Sequence, residues 1–360
     1  MGVPFGLASL KVYRDRRMLA ILLMGFASGL PLALTGSTLA IRLKDVSISN
    51  TWVGYFALAT LPYTLKFLWA PIMDRVALPH LTARWGRRRS WALTIEILLM
   101  LAILALGFVD PAHSIGAVAI LALLVAFLSA SQDVVIDAFR VELLGETEQG
   151  AGAAATQIGY RLAIIASGAG ALYLAHYLDW VSAYLVMAAL MPLGMVGVFM
   201  SSEPRLAPVP APATLEEWLG KAVIDPFADF MKRRGFLVIL VFIVLYKFGD
   251  ALAGVMSSPF YVDLGFSKPQ IASVTKIFGI IASMAGVFLG GLLVARVGVF
   301  RGLMAAGVLQ MLANLVYLVQ LGAGADVEVL AFTIAVENVT TGMGSAAFVA
   351  YLSSLCSPAF

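Results

Sequence analysis

The chain has 360 residues, 61% of them hydrophobic and only 12% charged, with a mean hydropathy of +0.93. A soluble domain carries about 25% charged residues, so this composition excludes a water-soluble globular protein and points to a polytopic membrane protein. The net charge of +3 says little beside its distribution, and the single cysteine, Cys356, leaves no intrachain disulfide to form.

A helix needs about 20 apolar residues to cross a bilayer. Ten segments meet that requirement, some interrupted: 18–41, 52–73, 91–109, 116–138, 151–175, 180–201, 236–260, 270–295, 302–321 and 328–353, numbered here as spans 1 to 10. The first is longer than the roughly 7–15 apolar residues of a signal peptide and lacks a convincing small-residue cleavage site, so it reads as a retained span. With the N-terminus in the cytoplasm, the inner segments collect Lys11, Arg14, Arg16, Arg17, Arg75, Arg84, Arg87, Arg88, Arg89, Arg140, Arg205, Lys221, Lys232, Arg233, Arg234, Arg296 and Arg301. The outer loops receive only Arg42, Lys44 and Lys268. That asymmetry predicts the N-in orientation.

Three domains are expected: a six-span half over 1–201, a cytoplasmic linker over 202–235, and a second half over 236–360 holding four spans. The linker opens on a Pro-rich run, EPRLAPVPAPA, which favours an extended chain. TLEEWLGKAV follows, with Thr214 as N-cap and Glu217 three residues on, and reads as a short amphipathic helix on the membrane surface. A weak repeat straddles the linker: DVSISNTWVG from Asp45 parallels DLGFSKPQIA from Asp263, and APIMDRV from Ala70 parallels GLLVARV from Gly291. Parallel six-span halves are the layout of major facilitator transporters. By that template two more spans are expected after span 10, so the sequence reads as a shortened version of the fold.

Nine ionisable residues fall within spans: Lys66, Glu96, Asp133, Asp137, Arg161, Lys247, Asp250, Lys276 and Glu337. At about 3 kcal/mol each, they would cost roughly 27 kcal/mol if all faced lipid, so they must pair, neutralise or line water. Asp133 and Asp137 share a face of span 4 one turn apart. In the six-plus-six layout spans 1, 4, 7 and 10 line the central cavity, and three of these carry acids. Asp133, Asp137, Asp250 and Glu337 are therefore the candidate proton-coupling residues. The structural alternatives are specific. Asp137 is also placed to pair with Arg75 or Arg89, Asp133 with Arg161, and Lys247 with Asp250, while Glu96 on the peripheral span 3 calls for a structural partner. Gly25-x-x-x-Gly29 and Gly286-x-x-x-Gly290 favour close helix packing. His80, His113 and His176 all lie in loops, so no metal cluster is expected, and no P-loop signature supports ATP drive.

Four stretches, GFASGLPLALTGSTLAIRL from Gly25, LPYTLKFLWAPIMDR from Leu61, GRRRSW from Gly86 and SQDVVIDAFRVE from Ser131, together resemble the AmpG-type muropeptide permeases of the major facilitator superfamily. The resemblance implies import of GlcNAc-1,6-anhydro-MurNAc and its peptides across a bacterial inner membrane, driven by the proton gradient without a bound cofactor. Its partners would be the glycopeptide, protons and the lipid bilayer, with no nucleic acid. It also implies a gate: Asp74 and Arg75 followed by Arg87, Arg88 and Arg89 resemble the superfamily's cytoplasmic loop motif, whereas the second copy has Ala295 where the acid would stand. A substrate rich in carboxylates, amides and hydroxyls would be met by Lys66, Arg161 and Lys247, by Gln132, Gln157 and Asn338, and by Tyr63 and Tyr160. The alternatives are a transporter of acetyl-CoA or another anionic metabolite, a non-transporting sensor, and an intramembrane hydrolase, the last lacking any histidine within a span.

Overall fold

The structure, a computed structural model, describes residues 14–145, 148–203, 231 and 235–355. The linker helix expected at 214–223 and Cys356 lie outside the described residues, as do the side chains of Asp74 and Arg75. All regular secondary structure among the described residues is helical. Among the described residues eight helices are long and apolar enough to cross a membrane: Arg16–Asp45 (span 1), Arg87–Phe108 (span 3), Ile115–Leu143 (span 4), Ala155–Tyr177 (span 5), Trp180–Met200 (span 6), Phe236–Asp263 (span 7), Lys268–Val294 (span 8) and Val299–Ala323 (span 9). Span 10, Val327–Leu355, is a 29-residue helix whose apolar character is diluted by Glu337, Asn338, Thr340 and Thr341.

Span 2 departs from the single helix the hydropathy predicts. It runs as Asn50–Phe56, a 3₁₀ turn Ala57–Thr60, Leu61–Leu65, a second 3₁₀ turn Lys66–Leu68, and Ala70–Arg75. Pro62 and Pro71 each stand in the first turn of a new segment, where a missing N–H costs nothing but the preceding helix cannot continue. Span 1 bends at Gly36. Two π turns occur, Ala166–Gly170 in span 5 and Ala272–Phe278 in span 8. In the first, the Ser167 carbonyl accepts a hydrogen bond from Thr38 Oγ1 at 2.8 Å, one way that backbone freed from the α ladder is satisfied in lipid.

The chain divides into two compact units, Met1–Ala207 and Pro208–Phe360. Lipid tails are as apolar as leucine, so helices associate through close packing rather than hydrophobic drive. In the first unit span 1 lies against span 5 through glycines. A Cβ on Gly25 would stand 2.5 Å from the Thr156 carbonyl, one on Gly29 2.6 Å from that of Tyr160, and one on Gly159 would collide with the Leu22 carbonyl. In the second unit Gly286, Gly290 and Gly342 bring spans 8 and 10 together in the same way. Around these contacts Ile21, Met24, Leu30, Leu99, Ile103 and Phe139 fill the first unit's core. A smaller cluster of Leu303, Ala306, Ala347 and Phe348 fills that of the second.

Arg42, expected in an outer loop, is buried. Its guanidinium donates to the carbonyls of Leu106, Gly107 and Val109 at 2.7–3.0 Å and lies over the Tyr184 ring. It satisfies the free carbonyls at the end of span 3, where a cation is favoured.

Alanine at Gly25 or Gly159 is expected to lower the melting temperature in detergent through overpacking worth about 1–3 kcal/mol. Gly249→Ala is the control: a Cβ there meets nothing within 4 Å, so its melting temperature should hold. Equal effects at all three sites would contradict the packing account.

Candidate functional site

Span 4 is tied to three neighbours by three consecutive side chains. Ser131 Oγ accepts from Trp69 Nε1 of span 2 at 3.0 Å. Gln132 Nε2 donates to Glu96 Oε1 of span 3 at 2.9 Å. Asp133 Oδ1 accepts a hydrogen bond from Ser28 Oγ of span 1, and its Oδ2 lies 3.4 Å from Lys66 Nζ of span 2. Lys66 opens the 3₁₀ turn that interrupts span 2. The ammonium partly neutralises the acid, and both groups keep some exposure, 34% for Lys66 and 14% for Asp133. Tyr63 joins this group: its buried hydroxyl stands among Ser129, Thr35, Asp133 and Tyr160 without completing a hydrogen bond. Tyr160 is in turn within electrostatic reach of Asp133 and Arg161.

Four candidate residues, Asp133, Lys66, Tyr63 and Tyr160, are thus brought to one region of the first unit, with Arg161 next to Tyr160 in the chain. Three are not. Gln132 is fully buried against Glu96; one step round the helix from Asp133, it turns toward span 3. Among the described residues Asp137, 59% exposed, pairs loosely with Arg140, at 3.6 Å, rather than with Arg89; the Arg75 side chain lies outside them. Gln157 is exposed on span 5. The expected partner of Asp133 also changes, from Arg161 to Lys66, because the break in span 2 carries Lys66 to span 4. Ser28 and Trp69 were missed. Ser28 lies one turn from Gly25 on the small-residue stripe of span 1, a pattern that marks close approach without revealing what the hydroxyl meets.

A second polar group occupies the second unit. Lys247 Nζ lies 3.2 Å from Asp250 Oδ2 and 3.4 Å from Ser345 Oγ. Asp250 Oδ1 accepts from Gln310 Nε2 of span 9, a residue the sequence reading passed over. Asp250 and Gln310 line a cavity of about 310 Å³ with Phe242, Tyr246, Met304 and Asn314. Glu337 is held by its neighbour Asn338, whose Nδ2 donates at 2.7 Å. Among the described residues Lys276, on the π turn of span 8, makes no hydrogen bond or ion pair.

The basic segment before span 3 folds into a charge clamp. Arg88 forms a fork with Glu142 at the end of span 4, at 2.5–3.1 Å, both side chains nearly buried. Glu203, just after span 6, accepts from the backbone N–H groups of Arg88 and Arg89 at 2.8 and 3.1 Å. A carboxylate suits that helix N-terminus. Gly86 there has φ +88°, and a Cβ on it would strike the Glu203 side chain. The Arg89 guanidinium lies over the Phe199 ring, and Arg87 Nε has no partner among the described residues. Nearby, Arg17 joins Glu148 at 2.7 Å and Asp15 at 2.6 Å. Hydrogen bonds from Arg17 hold the Asp15 carboxyl below the usual carboxylate range.

Residues 18–359 match the Major Facilitator Superfamily model. The chain belongs to the major facilitator superfamily. It is 39% identical over 353 residues to the anhydromuropeptide permease of Escherichia coli K12, covering 98% of this chain and 70% of that protein. Two solved structures share the fold. A bacterial homologue of the human lysosomal transporter Spinster, inward-facing and unoccupied, has a TM-score of 0.69 at 15% identity, over 96% of this chain and 76% of its own. The nucleoside transporter NupG has 0.68 at 13% identity, over 95% and 84%. The chain is therefore a multi-pass membrane transporter rather than an enzyme, and the polar groups on its spans are elements of a transport protein.

Removing one member of a buried ion pair strands the other charge, at about 3–5 kcal/mol. Glu142→Gln is therefore expected to lower the melting temperature well beyond Asp137→Asn, whose acid is exposed. Equal shifts would show that the Arg88 fork carries no special weight.

Proposed function

We propose that this transporter imports GlcNAc-1,6-anhydro-MurNAc and its peptides from periplasm to cytoplasm in symport with protons, across a bacterial inner membrane with its N-terminus inside. The likeness to the E. coli anhydromuropeptide permease over nearly the whole chain carries this reading. The chemistry of the first unit agrees with it. Asp133 lies within a span, partly exposed, against one ammonium and one hydroxyl. An acid so placed can exchange a proton, because Lys66 stabilises the ionised form and the Ser28 hydroxyl can bond either form. Protonation of Asp133 also weakens its hold on Lys66 and frees that ammonium for a substrate carboxylate. Tyr63 contributes a hydroxyl beside Asp133, a group suited to a sugar or amide. In the second unit Lys247 and Asn338 remain candidate substrate contacts, and Asp250 and Glu337 candidate coupling acids. Asp74 and Arg75, with Arg87, Arg88 and Arg89 at the start of span 3, form the gate, and the Arg88–Glu142 fork stabilises one of its arrangements.

Uptake of labelled GlcNAc-anhydro-MurNAc-tripeptide into cells lacking their own permease tests this reading. The chain should restore uptake, an uncoupler should abolish it, and Asp133→Asn should cut it about a hundredfold or more, as expected for loss of a coupling acid. Uptake that survives the substitution would move the proton elsewhere. No uptake by a well-expressed chain would reject the substrate.

A further inference from the structure

Glu96 is fully buried, and its surroundings are neutral. Gln132 of span 4 is its hydrogen-bond partner. Gly194 of span 6 stands so close that a Cβ there would meet both the Glu96 carboxyl and the Ala27 methyl of span 1. No cation pairs with it among the described residues. Of the four polar atoms in the two side chains, Gln132 Nε2 and Glu96 Oε1 are joined at 2.9 Å. The other two oxygens, Glu96 Oε2 and Gln132 Oε1, are buried and have no partner.

Both orphans are acceptors when the acid is ionised, so neither can bond to the other. One proton on Glu96 Oε2 turns that oxygen into a donor, and Gln132 Oε1 is the acceptor left over. A single proton thus satisfies both atoms and removes an unpaired buried charge, which is among the costliest things to leave in a protein interior. We infer that Glu96 is held as the neutral carboxylic acid, joined to Gln132 by two reciprocal hydrogen bonds, and that this pair is a positioning device for Asp133. Gln132 and Asp133 are consecutive on one helix, about 100° apart. Locking Gln132 onto span 3 sets the rotation of span 4, and that rotation aims Asp133 at Ser28 and Lys66. Glu96 then keeps its proton through the transport cycle while Asp133 exchanges one. The pair also explains an acid on span 3, away from the Asp133 group.

Two measurements test this. In the infrared, the difference between the wild-type protein and Glu96→Gln should show the carbonyl stretch of a protonated carboxyl, unchanged between mildly acidic and mildly alkaline buffer. The second is uptake, which rests on the permease reading. Glu96→Gln keeps an amide able to form both bonds, so its initial rate should stay within about twofold of wild type with the same pH profile. Glu96→Ala strands the Gln132 amide and should lose roughly tenfold or more. A missing or titrating carboxyl band would overturn the inference, as would loss of proton-driven uptake in folded Glu96→Gln. The infrared result needs no substrate, so failure of the permease reading leaves this test intact.

Discussion

A charged side chain inside a membrane span must be answered by another polar group, and Asp133 is where that constraint bears hardest on this molecule. Its answers come from two other spans, Ser28 on span 1 and Lys66 on span 2. Each answer has a structural condition. Lys66 starts a tight turn in a proline-interrupted span. Ser28 belongs to a span drawn against span 5 at Gly25 and Gly29. The flanking residues then fix the orientation of span 4 itself, Ser131 on Trp69 and Gln132 on Glu96. The motif Ser131-Gln132-Asp133 is thus three differently directed ties in three residues, with only the last bearing a charge.

The remaining strong electrostatics of the first unit sit at its ends. Arg88 and Glu203 join the start of span 3 to the ends of spans 4 and 6, and Arg42 closes the far end of span 3 on backbone carbonyls. Apolar contact gives no net drive in lipid, so such polar staples hold the helices in register. They also leave the Asp133 group as a place in the interior where charge is only partly compensated, which is where exchange of a proton costs least.

Much of this was legible in the sequence. Eight of the ten expected spans are helices long and apolar enough to cross a bilayer, within a few residues at most boundaries, because a bilayer imposes its thickness locally and apolar run length reports it directly. The acids and cations were identified for the same reason: each stands out in an apolar run. Of their pairings, only Lys247 with Asp250, three residues apart on one helix, was legible. Hydropathy carries no rotational phase, so it could not tell that Gln132 turns to span 3 while Asp133 turns to spans 1 and 2. Nor could it show that two prolines break span 2 and deliver Lys66 in place of Arg161, or that Arg42 leaves its expected loop for the end of span 3. Glu142 and Glu203 read as ordinary charges at span ends. Only the fold brings them to Arg88 and to the N-terminus of span 3.

The central claim is that Asp133, set between Lys66 and Ser28, couples proton movement to substrate movement. The most direct measurement is the internal pH of proteoliposomes containing the purified protein, followed after GlcNAc-anhydro-MurNAc-tripeptide is added outside with no imposed gradient. The account predicts that substrate entry acidifies the lumen for the wild-type protein and that Asp133→Asn abolishes the signal. Substrate entry without acidification, or acidification undiminished in Asp133→Asn, would contradict it.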